Sequence, residues 1–179
     1  MPAKKARRLV VDASVASAAG GKAATATAPK RCRDFLSTLR DETGCHVVIP
    51  PMLRDEWEEH MSGFTRVWLR NMTQRGRVIP RDVVPSTRMR REIVRAAATK
   101  KTEADALQKD FHLVEAAIAY DKTVVSLDDE VRRLFKAAAR SVIAIKKVVW
   151  VNPVEPAEKS IEWLRDGARA EPVRMLSHE

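Results

Sequence analysis

Short β-branched runs alternate with stretches of helical periodicity along this chain, and that alternation constrains its fold more than any other feature. Arg7 to Asp12 reads as a buried strand that turns at Ala13-Ser14, Cys45 to Ile49 as a second strand ended by Pro50-Pro51, and Lys122 to Leu127 as a third. Val142 to Ile145 and Val148 to Val151 supply a further edge strand or strands. Helices are expected from Pro29 to about Asp41, Met52 to Ser62, Phe64 to Gln74, a Ser86 cap to about Thr99, Thr102 to Tyr120 and Asp129 to Ala139. Gly20 to Ala28, rich in Ala, Thr and Gly, is read as a flexible loop, and Arg77 to Pro85 as a loop with two prolines. Pro153 and Pro156 introduce a last amphipathic helix with Ile161, Trp163 and Leu164. Strands separated by helices predict an α/β fold, a parallel sheet with helices on both faces.

In such sheets ligands collect outside the carboxyl ends of the strands. Two acids fall there: Asp12 closes Leu9-Val10-Val11, and Asp128 closes Val124-Val125-Ser126-Leu127. Glu56 and Asp110 sit in the helical segments between. Carboxylates do not gather without a cation, because like charges in contact raise each other's pKa or push the site apart. Four of them at strand ends and adjoining helices suggest a hard divalent cofactor, Mg²⁺ or Mn²⁺. Each acid alone has an ordinary reading as a helix cap or a solvated side chain. Glu56 has rivals in Asp55, Glu58 and Glu59, and Asp128 competes with Asp129.

The net charge of +9 is unevenly placed. Residues 62–101 hold eleven basic residues against Asp82 and Glu92, which accounts for all of it; the 22 basic and 22 acidic residues elsewhere cancel. A clustered arginine surface is the footprint of phosphate-backbone binding, and Arg66, Arg70, Arg75, Arg77, Arg88, Arg91 and Arg95 are its candidate nucleic-acid contacts. Trp57 and Trp68 flank this segment; stacking on bases is one role for them and core packing the favoured one.

Other classes are set aside. At 179 residues the chain fits one domain with a real core. Lys4, Lys5, Arg7 and Arg8 imitate the start of a signal peptide, but Asp12 breaks the apolar region. No run approaches the roughly 20 apolar residues needed to span a bilayer. Cys32 and Cys45 read as reduced thiols of a cytoplasmic protein. Gly20-Gly21-Lys22 lacks the remainder of a phosphate loop, and Ser14 stands where a haloacid-dehalogenase phosphatase would need a second Asp. His46, His60, His112 and His178 show no zinc spacing and read as structural or surface residues.

Three of these segments together resemble a known family. Val10-Val11-Asp12-Ala13-Ser14-Val15 is similar to the opening strand of a PIN domain, whose first acid is followed two residues later by Ser or Thr. Asp110-Phe111-His112-Leu113-Val114-Glu115-Ala116-Ala117 resembles its third-acid helix, and Val124-Val125-Ser126-Leu127-Asp128-Asp129 its late strand. Met52-Leu53-Arg54-Asp55-Glu56-Trp57 occupies the place of the second-acid helix. The resemblance covers about residues 8 to 151. It implies an α/β/α sandwich with a mainly parallel sheet over residues 1–152, followed by a helical extension over 153–179. It also implies a metal-dependent endoribonuclease, with Asp12, Glu56, Asp110 and Asp128 as metal-site acids and Ser14 and Ser126 as hydroxyls orienting two of them. Many bacterial and archaeal members are toxins of toxin–antitoxin pairs, so RNA, a cognate antitoxin protein and a second copy in a homodimer are the expected partners.

Overall fold

The computed structural model describes residues 6–20 and 27–178. The loop expected at 20–28 falls largely outside them, and helix α2 already begins at Thr27. Five parallel strands form one sheet: β1 (Arg8–Val11), β2 (His46–Val48), β3 (Val78–Ile79), β4 (Thr123–Val125) and β5 (Val149–Val151), in the order β3-β2-β1-β4-β5. Eight α-helices accompany them among the described residues: α1 (Ala13–Ala18), α2 (Thr27–Asp41), α3 (Pro51–His60), α4 (Gly63–Gln74), α5 (Thr87–Ala97), α6 (Lys101–Ala119), α7 (Asp129–Ala139) and α8 (Ser160–Arg165).

The handedness of parallel crossovers distributes these helices. The chain moves from β1 through β2 to β3 in one direction, then returns past β1 to β4 and β5 in the other. Right-handed connections place helices of opposite progressions on opposite faces. The packing agrees: α2 meets α1, α4 and α8, whereas α5, α6 and α7 pack on one another and α6 lies against β1 and β4. The result is a mixed α/β architecture compatible with a three-layer sandwich. Between β1 and β4 the progression reverses, and that switch point opens at the carboxyl ends of the two strands.

Leu9, Val10, Val11, Val47, Val48, Val124 and Val125 are fully buried, as expected of strands covered on both faces. Trp57 and Trp68 are equally buried, their rings 6.0 Å apart, and each donates its indole N–H to a carbonyl: Trp57 to Val11 at 2.9 Å and Trp68 to Leu36 at 2.6 Å. Core packing is therefore their role, and neither is free to stack on a base.

Two expectations are corrected. Val142 to Ile145 is not a strand. Ile143–Ile145 forms a 3-10 turn that buries Ile145 and leaves Ile143 80% exposed, so only Val149–Val151 supplies the edge. The proline-containing loop includes a strand, because Val47 and Ile49 donate their amides to Arg77 and Ile79 and draw Val78–Ile79 into register. Beyond Asn152 the chain returns to the same core: Trp163, Leu164, Ala168 and Leu176 join it, and Leu176 donates its amide to Val148.

Candidate active site

Asp12 follows the last residue of β1, and its amide extends the ladder by donating to Val125 at 2.9 Å. Its side chain is 8% exposed. A buried carboxylate needs donors, and two hydroxyls supply them: Ser14 donates to Oδ2 at 2.5 Å and Ser126 to the same oxygen at 2.6 Å. Each hydroxyl also accepts an amide proton from the β4–α7 connection, Ser14 from Leu127 at 3.2 Å and Ser126 from Asp128 at 3.1 Å. The two serines thus join Asp12 to the backbone that carries Asp128.

Asp128 caps α7, Oδ1 accepting the Val131 amide at 2.8 Å. Asp129 is set apart: it is exposed, takes a bond from Asn152 Nδ2 at 2.9 Å, and stands 3.9 Å from Arg132. Of the two neighbours, Asp128 is the one whose charge reaches Asp110.

Asp110 lies on α6, half-buried, and its carboxyl is pushed up to about 7. Burial is the main cause; the charges of Asp12, Asp128 and Glu56 add to it, and Lys109 opposes. Glu56 is raised as well, by burial first and then by Asp12, with His112, Lys109 and His60 acting the other way. Four carboxylates from four separate elements therefore share one electrostatic environment. The rivals of Glu56 point elsewhere: Asp55 is exposed, Glu58 pairs with Arg54 at 2.6 Å, and Glu59 is exposed beside His60. Trp57 fixes the helix that carries Glu56, because its indole bond ends on Val11, one residue before Asp12.

His112 belongs to this site, although its lack of zinc spacing pointed to a structural or surface role. It is buried, Nδ1 donates to the Lys109 carbonyl at 3.0 Å, and Nε2 stands 3.5 Å from Glu56 Oε2. Nε2 makes no hydrogen bond. Two lone pairs facing each other repel, so the contact requires a proton on one partner or a cation beside them. One signal was present in the sequence: Phe111 to Ala117 is apolar almost all round, so a histidine within it is buried. Glu115, from the same helix, is not part of the site. It is 5% exposed and clamps α5, accepting Arg90 at 2.8 and 2.6 Å and the Ser86 amide at 2.9 Å.

The donor set suits a hard cation, since all four acids offer carboxylate oxygens. Among the described residues, however, no group of three or more His, Cys, Asp or Glu side chains is placed to hold a metal ion.

The arginines of 62–101 do not form one surface. Arg66 and Arg70 are exposed on α4; Arg88, Arg91 and Arg95 are exposed on α5, in the other helical layer. Arg88 pairs with Glu92 at 2.9 Å, and Arg75 donates to the Arg40 carbonyl at 2.8 Å. Arg77 is spent internally, its guanidinium donating to the carbonyls of Leu39, Arg40 and Cys45. Among the described residues no helix is long and apolar enough to cross a membrane. Comparison with family models, curated proteins and solved structures returned no match for this chain.

Proposed function

We propose that the chain is a metal-dependent endoribonuclease on a PIN-like α/β/α fold, with Asp12, Glu56, Asp110 and Asp128 holding Mg²⁺ or Mn²⁺. One observation carries the reading: Asp12, Glu56, Asp110 and Asp128, from four separate elements, lie close enough together that the other three charges, after burial, raise the Asp110 carboxyl. Like charges so placed favour a proton or a cation among them. When bound, the ion supplies a Lewis acid that acidifies a water and steadies charge on the scissile phosphate. The protein's own part is positional. Ser14 and Ser126 fix Asp12, the α7 cap fixes Asp128, Trp57 fixes the Glu56 helix, and Asp110, once deprotonated, would complete the set of carboxylates that holds the ion. Arg66, Arg70, Arg91 and Arg95 contact the RNA backbone from the two helical layers.

The test is cleavage of end-labelled structured RNA in Mg²⁺ or Mn²⁺ against EDTA, for wild type and Asp110→Asn. Cuts that need metal and vanish in the variant support the mechanism; an equally active Asp110→Asn overturns it. A toxin role within this reading predicts growth arrest on expression, relieved by a small partner protein whose basic groups enter the acidic site.

A second reading, a non-catalytic RNA-binding module, is favoured by one feature. Oδ2 of Asp12 and Oδ1 of Asp128 already accept protein hydrogen bonds. It predicts full RNA affinity in chelator and no cleavage in any metal.

A further inference from the structure

Outside residues 62–101, an open groove of about 1150 Å³ runs beside α7. Arg132, Arg133, Lys136, Arg140 and Lys146 line it, with Asp129 as its acid. The far wall is the C-terminal segment, held in place by backbone bonds from Leu176 to Val148 and from Ser177 to Lys146. Two of the cations are engaged: Arg132 with Glu158, and Arg133 with Glu130 at 2.7 Å and Glu103 at 3.1 Å. Lys136, Arg140 and Lys146 have no carboxylate partner among the described residues. Lys136 and Arg140 stand one helical turn apart, a spacing at which like charges repel. Three uncompensated cations in one concavity are relieved by a polyanion.

Size and shape narrow the occupant. The groove exceeds the roughly 300–1,000 Å³ usual for small-molecule clefts. It is also walled on two sides, which suits a thread more than a flat surface. Its position gives a direction: Asp129, at one end, is the residue after Asp128, and Arg140 lies roughly 16 Å further along the helix at 1.5 Å per residue. We infer that this groove is a track for the phosphodiester backbone of a single-stranded nucleic acid, gripped by Lys136, Arg140 and Lys146 and led toward the four acids. The direction of the track rests on the nuclease reading; the grip does not.

The test is fluorescence anisotropy in EDTA, with labelled single-stranded RNA and DNA oligonucleotides of mixed sequence. The groove variant Lys136→Glu/Arg140→Glu/Lys146→Glu is compared with Lys30→Glu/Arg81→Glu/Arg169→Glu, which changes the net charge equally at exposed cations given no role in binding. The groove variant should bind at least about tenfold more weakly than wild type, and its salt slope should be smaller by about two, as three lost single-strand phosphate contacts require. Its loss should exceed that of the control. Wild-type affinity in the groove variant, or equal losses in both, overturns the inference. Polyglutamate competing as strongly as RNA overturns it in favour of an acidic peptide. Unchanged thermal midpoints exclude misfolding, and the neutral variant Lys136→Gln/Arg140→Gln/Lys146→Gln repeats the test should the reversals fail to fold. Groove-dependent binding with no cleavage in Mg²⁺ or Mn²⁺ removes the nuclease reading and keeps the groove; cleavage without groove-dependent binding does the reverse.

Discussion

Ser126 donates its hydroxyl proton to Asp12 Oδ2 at 2.6 Å while accepting the amide proton of Asp128. One buried oxygen thus serves the carboxyl ends of both β1 and β4. Ser126→Ala removes a donor from a buried carboxylate and an acceptor from an amide. The expected cost is about 1–3 kcal/mol in urea unfolding. Metal affinity should fall about 10- to 100-fold, as happens when groups that orient a ligand are lost. A Mg²⁺ titration of cleavage that matches wild type would refute the orienting role.

Asp110 makes the stability of the chain depend on pH. Its folded carboxyl titrates at about 7, against about 3.9 for an unperturbed aspartate. Between those values the folded chain binds more protons than the unfolded one, so stability falls as pH rises from about 4 to about 7. Asp110→Asn removes that component, leaving the smaller slope from Glu56. Thermal midpoints in EDTA should therefore cross, with the variant the more stable at pH 8. Added Mg²⁺ should raise the wild-type midpoint there and leave the variant's nearly unmoved. Parallel pH profiles for the two proteins would contradict the placement of Asp110.

Trp57→Phe keeps most of the buried ring but deprives the Val11 carbonyl of its donor. About 1–3 kcal/mol of stability should be lost. Cleavage under fully folded conditions should fall too, because the helix that aims Glu56 loses its tie to β1. Full activity in the folded variant would show that the tie serves stability alone.

The arginines of 62–101 should separate into two classes. Arg90 meets a buried glutamate through two bonds, and Arg90→Ala strands that charge at a cost of about 3–5 kcal/mol. Arg91 is exposed on the same helix, and Arg91→Ala should stay within about 0.5 kcal/mol of wild type. Urea unfolding of the two variants measures the contrast directly.

Particular residues show what the sequence made legible. The strand end at Asp12 could be read because the valines before it are buried on both faces and announce a covered sheet; β4 stops at Val125, and Asp128 lies three residues beyond it as the cap of α7. Val78–Ile79 could not, since two apolar residues between Arg77 and Pro80 carry no period and become a strand only through β2. Val142 to Ile145 misled by its β-branched composition, where a single 3-10 turn satisfies Ile145 and leaves Ile143 in solvent. Arg77 looked like surface charge; its reach to three carbonyls is a tertiary fact. A charge tally cancelled the α7 cations against acids that lie outside their groove, so the region outside 62–101 appeared neutral. The joining of Glu56, Asp110 and His112 depends on how α3 and α6 meet, which no local pattern encodes.

The pairing of β1 with β4 carries one more consequence. Asp12 is made early in synthesis, and its partner hydroxyl on Ser126 follows 114 residues later. Until β4 has docked beside β1, the first acid has neither its second hydroxyl nor the charge of Asp128. The cluster is therefore unassembled throughout most of translation and is completed by long-range contacts, which are slow to form. The fold and its carboxylate cluster are completed together.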